Sequence, residues 1–249
     1  MKKQTTNDIQ ATDQVAEIII THPQLLKSVL RMGISPALGN TTLAEACSGK
    51  SMELELCLEI LRISSDPNYK PQTLSRYALL PLVEFYSSSI SALRPWFDIL
   101  GKHLHSLESL QEGLGYSAVI KFFDIYKERV ERFISLQEEQ LKDTITHLYE
   151  LFYSPVITEE DLELINKGLL LTNKEEGDIP SNEIGDIYSL LLRHTKVPEN
   201  QLMYCGTMLQ VSDLKYSLEC INNIRAKLLY PMVADMARQI RKRKPETEG

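Results

Sequence analysis

Residues 117–153 read SAVIKFFDIYKERVERFISLQEEQLKDTITHLYELFY, a run of 37 residues with neither glycine nor proline. Apolar side chains recur at Val119, Phe123, Tyr126, Val130 and Phe133, then at Leu141, Ile145, Leu148 and Phe152. Steps of three and four residues keep one face of an α-helix turned toward a core. At about 1.5 Å per residue the helix is roughly 55 Å long, which calls for other long helices beside it. The stripe has one polar interruption, Gln137, between Phe133 and Leu141. Phe133 and Gln137 form an i, i+4 pair, the spacing at which a metal-binding bundle helix presents two ligands. Neither a phenyl ring nor an amide does that work.

Working outward, the 249 residues suffice for one large or two small domains with real cores. Glycine and proline are sparse at 11 each, which favours helices over a loop-rich or all-β fold. No apolar run approaches a membrane span, and MKKQTTNDIQATDQ has no apolar segment behind its lysines, so it does not read as a secretory signal. Cys47, Cys57, Cys205 and Cys220 lie far apart without C-x-x-C spacing and read as reduced, mostly buried thiols of a cytoplasmic protein. The net charge of −7 argues against nucleic acid as the default partner. There is no G-x-x-x-x-G-K-[ST], G-x-G-x-x-G, G-x-S-x-G or H-E-x-x-H.

Before the long helix, residues 1–65 read as a small N-terminal domain of four short helices: DQVAEIII, PQLLKSVLRM, TTLAEAC and MELELCLEILRI. Thr42 and Glu45 have capping-box spacing, and Ser51 is a candidate N-cap for the last of the four. SSDPNYKPQ, residues 64–72, is a polar linker with two prolines. Residues 73–243 then supply the larger domain. A helix is expected from about Leu74 to Leu107, kinked or divided by Pro95. After Tyr153 come a short helix capped at Thr158, a loop over 173–183, a helix from Glu183 to Thr195, and a last long helix over 201–242 that Pro231 should kink. The fold class is therefore all-α, an up-down-up-down four-helix bundle behind a small helical domain, with residues 244–249 expected as a disordered tail.

Three stretches together resemble the hemerythrin-like di-iron proteins of the iron–sulfur cluster repair type: RMGISPALGNTTLAEAC (31–47), LVEFYSSSISALRPWFDIL (82–100) and IKFFDIYKERVERFISLQEEQL (120–141). LLYPMV (228–233) resembles the ending of that family's fourth helix. The resemblance implies a short helical domain before a bundle holding two irons. Carried over position by position, it places the first-helix histidine on Tyr86 and the second-helix H-x-x-x-E on Phe133 and Gln137. The third-helix histidine falls between Ile179 and Glu183, and the fourth-helix H-x-x-x-E falls on Ile221 and Arg225. The family's paired cysteines fall on Ala37 and Leu38. None of these side chains is a suitable ligand or thiol, so the resemblance implies a degenerate member with no cofactor, and no catalytic residue is assigned.

The other chemistry-bearing residues read plainly. His147, with Asp143 and Glu150 at helical spacing, faces away from the Leu141–Ile145–Leu148 seam and reads as a solvated stripe. His103 and His105 point in different directions near a helix end. Arg225 admits two readings: an internally paired cation within a closed core, or one wall of a small-anion pocket shared with Tyr86 and Gln137. Arg238, Arg241, Lys242, Arg243 and Lys244 form a basic terminus, read as dipole-complementing charge or as a docking patch for an acidic partner. The leading expectation is a metal-free binding or regulatory module with a protein partner, no membrane association, and self- or hetero-association left open. By resemblance it is linked to iron–sulfur cluster repair or to nitrosative and oxidative stress. The alternatives are a di-iron repair protein with displaced ligands and a nucleic-acid regulator acting through the basic terminus.

Overall fold

The computed structural model describes residues 9–35, 39–50, 52–110, 115–172, 181–199 and 201–243. Their regular structure is helical, with one isolated β-bridge between Gln14 and Thr42. The long helix, α7, runs Tyr116–Tyr153. It starts behind Gly115, whose φ of 87° suits glycine and whose missing Cβ leaves room for the His194 carbonyl oxygen. It ends where Arg243 donates to the carbonyls of Phe152 and Ser154, supplying a cation and two hydrogen bonds to the helix C-terminus.

Four short helices open the chain: α1 (Val15–Thr21), α2 (Leu26–Arg31), α3 (Leu43–Cys47) and α4 (Leu54–Ser65). The Thr42–Glu45 capping box forms in full at the start of α3. The Ser51 cap expected for α4 falls outside the described residues. Buried Glu59 of α4 ties down the linker that follows. It accepts from the Tyr69 hydroxyl at 2.9 Å, from the Gln72 amide at 3.0 Å and from Arg62 at 3.2 Å. A charge that is nine-tenths buried is tolerable because all these donors converge on it. This region joins the core of the remainder: Tyr216 donates to the Ser64 carbonyl at 2.5 Å, and Lys27 pairs with Asp213 while lying 4.4 Å over the Trp96 ring.

The expected helix over 74–107 is two helices, α5 (Leu79–Ser91) and α6 (Leu93–Leu110), parted at Ala92. Pro95 thereby sits in the first turn of α6, where its missing N–H costs nothing. After α7 come α8 (Glu159–Thr172) and α9 (Ser181–His194). Thr158 and Asp161 exchange hydrogen bonds at the start of α8, as the cap required. The last long element is α10 (Gln201–Ile224), a π-helical turn (Arg225–Leu229) and α11 (Tyr230–Arg241). Pro231 has no N–H for the Lys227 carbonyl and its ring crowds that group, so the turn ahead of it widens rather than simply kinking.

Cross-helix contacts fix directions. Glu84 and Arg94 reach Lys142 and Glu138, while Asp98 reaches Lys127, so α5 and α6 run antiparallel to α7. Gln137 meets the Leu171 carbonyl and Arg129 meets Glu183, so α8 and α9 run antiparallel to α7 on another side. Tyr204 donates to the Leu191 carbonyl and Gln210 bonds His103, bringing α10 against both α9 and α6. The exposed ion pairs among these set register and contribute little energy. The energy lies in one continuous apolar core, among it Val130, Ile134, Leu141, Ile145 and Leu148 of α7.

The composition of this core corrects the expected seam. Phe133, expected on it, is only partly buried, and Ile134 takes the core position at 0 % exposure. Three of the four cysteines are buried and free, and Cys205 is exposed.

Candidate functional site

Antiparallel packing brings four chain segments to one level. The Glu84–Lys142 and Arg94–Glu138 pairs bracket Tyr86 on α5 and set it beside residues 137–141 of α7. There Gln137, 2 % exposed, donates through Nε2 to the Leu171 carbonyl at 3.2 Å, which adds the end of α8. Arg225, 0 % exposed, enters from the π-helical turn and interacts electrostatically with Tyr86. Thus Tyr86 and Arg225, singled out in the sequence, interact in the interior, and the cross-helix pairs set Gln137 at about the same level of α7, where α8 ends. π-Turns recur at functional sites because they displace side chains from the regular helical register.

The electrostatics follow from burial. Tyr86 is 1 % exposed, and desolvation pushes its hydroxyl up to about 12, with the Arg225 cation partly offsetting. Arg225 is shifted the other way, down from the ordinary arginine value by burial, with Tyr86 opposing. Two polar atoms here have no hydrogen-bond partner: the Tyr86 hydroxyl and Gln137 Oε1. A buried group of that kind costs about 1–3 kcal/mol. Two of them at one level point to a role other than holding the fold.

The other expected site residues are dispersed. Phe133 lies at the edge of the core, and buried Ile221 lines a crevice with Phe85 and Ser89 of α5 and Lys27 and Arg31 of α2. Of the four positions carried over to the second-helix and fourth-helix ligand pairs, Gln137, Ile221 and Arg225 are buried and Phe133 only partly so. Ala37, Leu38 and residues 179–180 fall outside the described residues. His147, Asp143 and Glu150 are all exposed, as a solvated stripe requires, and His103 bonds Gln210 at 2.8 Å. Among the described residues no three His, Cys, Asp or Glu side chains gather to hold a metal ion.

The basic terminus is partly committed to the fold. Arg243 caps α7, Arg241 donates to Asn166, and Arg238 lies 3.7 Å from Asp235. Lys242 is exposed, and Lys244 falls outside the described residues. Sequence reasoning missed Glu59, which carried no mark beyond being an acidic residue among leucines and isoleucines. It also missed the partnering of Lys227 with the linker carbonyls of Pro67 and Tyr69. Among the described residues no helix is long and apolar enough to cross a membrane.

No family model matches the chain, and no curated protein or solved structure matches it.

Proposed function

We propose that the chain is a hemerythrin-like up-down-up-down four-helix bundle in which the level that holds two irons in cluster-repair proteins has become an interior polar level. In this reading α5 with α6, α7, α8 with α9, and α10 with α11 are the four rods, and α1–α4 are the small domain ahead of them. The molecule then acts as a metal-free binding or regulatory module, tied by resemblance to iron–sulfur cluster repair or to nitrosative and oxidative stress. The observation that carries the reading is the burial of Tyr86, Gln137 and Arg225, with Tyr86 and Arg225 interacting and the Tyr86 hydroxyl and Gln137 Oε1 without hydrogen-bond partners.

The chemistry of these side chains supports the loss of iron. A di-iron site needs several imidazoles and bridging carboxylates. A phenol pushed up to about 12 stays protonated at neutral pH, an amide is a weak donor to iron, and a guanidinium repels a cation. The arrangement is suited instead to hydrogen bonding: a hydroxyl that donates, a carbonyl oxygen that accepts, and a fixed positive charge.

Metal analysis of protein produced in iron-supplemented medium tests this. The expected content is far below one iron per chain. Near-stoichiometric iron with a near-ultraviolet oxo-bridge band overturns the reading in favour of a di-iron repair protein with displaced ligands.

A further inference from the structure

Away from the interior level, a groove of about 330 Å³ opens between the linker end, residues 71–76, and the π-helical turn with α11. Its walls are mainly apolar: Leu74, Leu228, Pro231, Met232 and Met236. The volume lies at the small end of the range for ligand pockets, about 300–1,000 Å³. Methionines are the adaptable wall residues of such sites, because their unbranched thioethers repack around differing shapes.

Three charged side chains line the groove: Arg76, Lys227 and Asp235. Asp235 is already engaged, accepting from Gln239 at 2.6 Å and lying 3.7 Å from Arg238. The two cations are held in place with donors to spare. Lys227 gives two hydrogens to the Pro67 and Tyr69 carbonyls, and an ammonium has three. Arg76 lies 4.6 Å over the Phe152 ring and bonds Gln239 through Nη2 alone, leaving Nε and Nη1 of its fork. Two anchored cations beside a methionine-lined floor are locally complementary to a molecule with an apolar body and an anionic head. Burial also lowers the Lys227 pKa, with Asp66 partly offsetting, so a carboxylate arriving there relieves a desolvated cation.

We propose that this groove binds a small apolar carboxylic acid, its hydrocarbon chain against Met232 and Met236 and its carboxylate on Lys227 and Arg76. The site is separate from the interior level of Tyr86, Gln137 and Arg225 and does not depend on its reading.

Calorimetric titration of the full chain with sodium octanoate, and with 1-octanol as its neutral counterpart, tests the proposal. Saturable one-to-one binding of octanoate is expected, with octanol about tenfold weaker for want of the charge-assisted hydrogen bonds. Arg76→Gln should weaken octanoate by about the same factor and leave octanol unchanged. Met232→Trp should fill the floor and abolish binding of both. Both variants keep the Lys227 bonds to the linker, and an unchanged circular-dichroism melt verifies that they fold. Absence of saturable octanoate binding overturns the proposal. So do octanol binding as tightly as octanoate and octanoate binding that survives Met232→Trp.

Discussion

Phe123 and Gln137 lie on the same face of α7, about four turns apart, and the core closes around them in opposite ways. At Phe123 the neighbours are rings. Phe97 stacks on it with centroids 6.2 Å apart, Tyr126 meets Phe97 edge-on at 5.6 Å, and Gly101 lets α6 approach. At the level of Gln137 the side chains are polar: Gln137 donates to the Leu171 carbonyl, Tyr86 interacts with Arg225, and the Tyr86 hydroxyl and Gln137 Oε1 go without hydrogen-bond partners. The first level holds itself together by apolar burial and offset stacking. The second gives up stability that apolar side chains of similar size would supply.

The sharpest way to break the contrast is to empty the aromatic level. Phe123→Ala should cost about 3–5 kcal/mol, the usual loss for a buried ring. Urea denaturation followed through Trp96, the single tryptophan, reads it. A loss under about 1 kcal/mol would mean that this end is no better packed than the polar one.

The register of α7 comes next. Ile134→Ala should cost about 2–4 kcal/mol and Phe133→Ala about 1, because the isoleucine is fully buried and the ring only partly. The reverse order would return Phe133 to the seam and contradict the burial of Ile134 in its place.

A smaller effect sharpens the aromatic end. A Cβ at Gly101 would stand 3.1 Å from Phe123 Cε1, and the stacked ring has little room to yield. Gly101→Ala gains about 1 kcal/mol of helix propensity and loses about 1–3 to overpacking, for a net loss of about 1. In a Phe123→Ala background the same change should become stabilising, since the obstructing ring is gone. An unchanged sign in both backgrounds would contradict the close approach of α6 to α7.

These outcomes bear on which features the amino-acid sequence makes legible. The extent of α7, the Thr42–Glu45 box, the Thr158 cap and the division of the first long segment near Pro95 are all legible, because each is local chemistry. Spacing alone puts the seam one residue off at Phe133. That residue lies at the edge of the buried stripe, and a bulky apolar ring there looks like core when only periodicity is weighed. Tyr86, Gln137 and Arg225 are legible as odd side chains at expected inward positions. Their coming to about the same level is not, since it depends on the antiparallel register of separate helices. The π-helical turn leaves only Pro231 as a trace, and the Met232–Met236 groove leaves none, because the linker that walls it is fixed through buried Glu59 and the Lys227 bonds.

The central claim, that the Tyr86 level is polar for a reason other than stability, is tested most directly by Tyr86→Phe in urea denaturation across pH. At neutral pH the variant should be as stable as the parent or more stable by about 1 kcal/mol, since an unpartnered buried hydroxyl is removed. The pH dependence has a definite sign. The folded hydroxyl titrates at about 12 and the unfolded one near the ordinary tyrosine value of about 10, so folding holds the proton more tightly. The parent's stability from this group is intact below about pH 10 and is lost as pH rises through 10 toward 12. Tyr86→Phe lacks that loss, so its advantage over the parent should widen between about pH 10 and 12. A variant less stable than the parent by about 2 kcal/mol at neutral pH, with no widening in alkali, would show that the hydroxyl is a partnered structural group and would contradict the account.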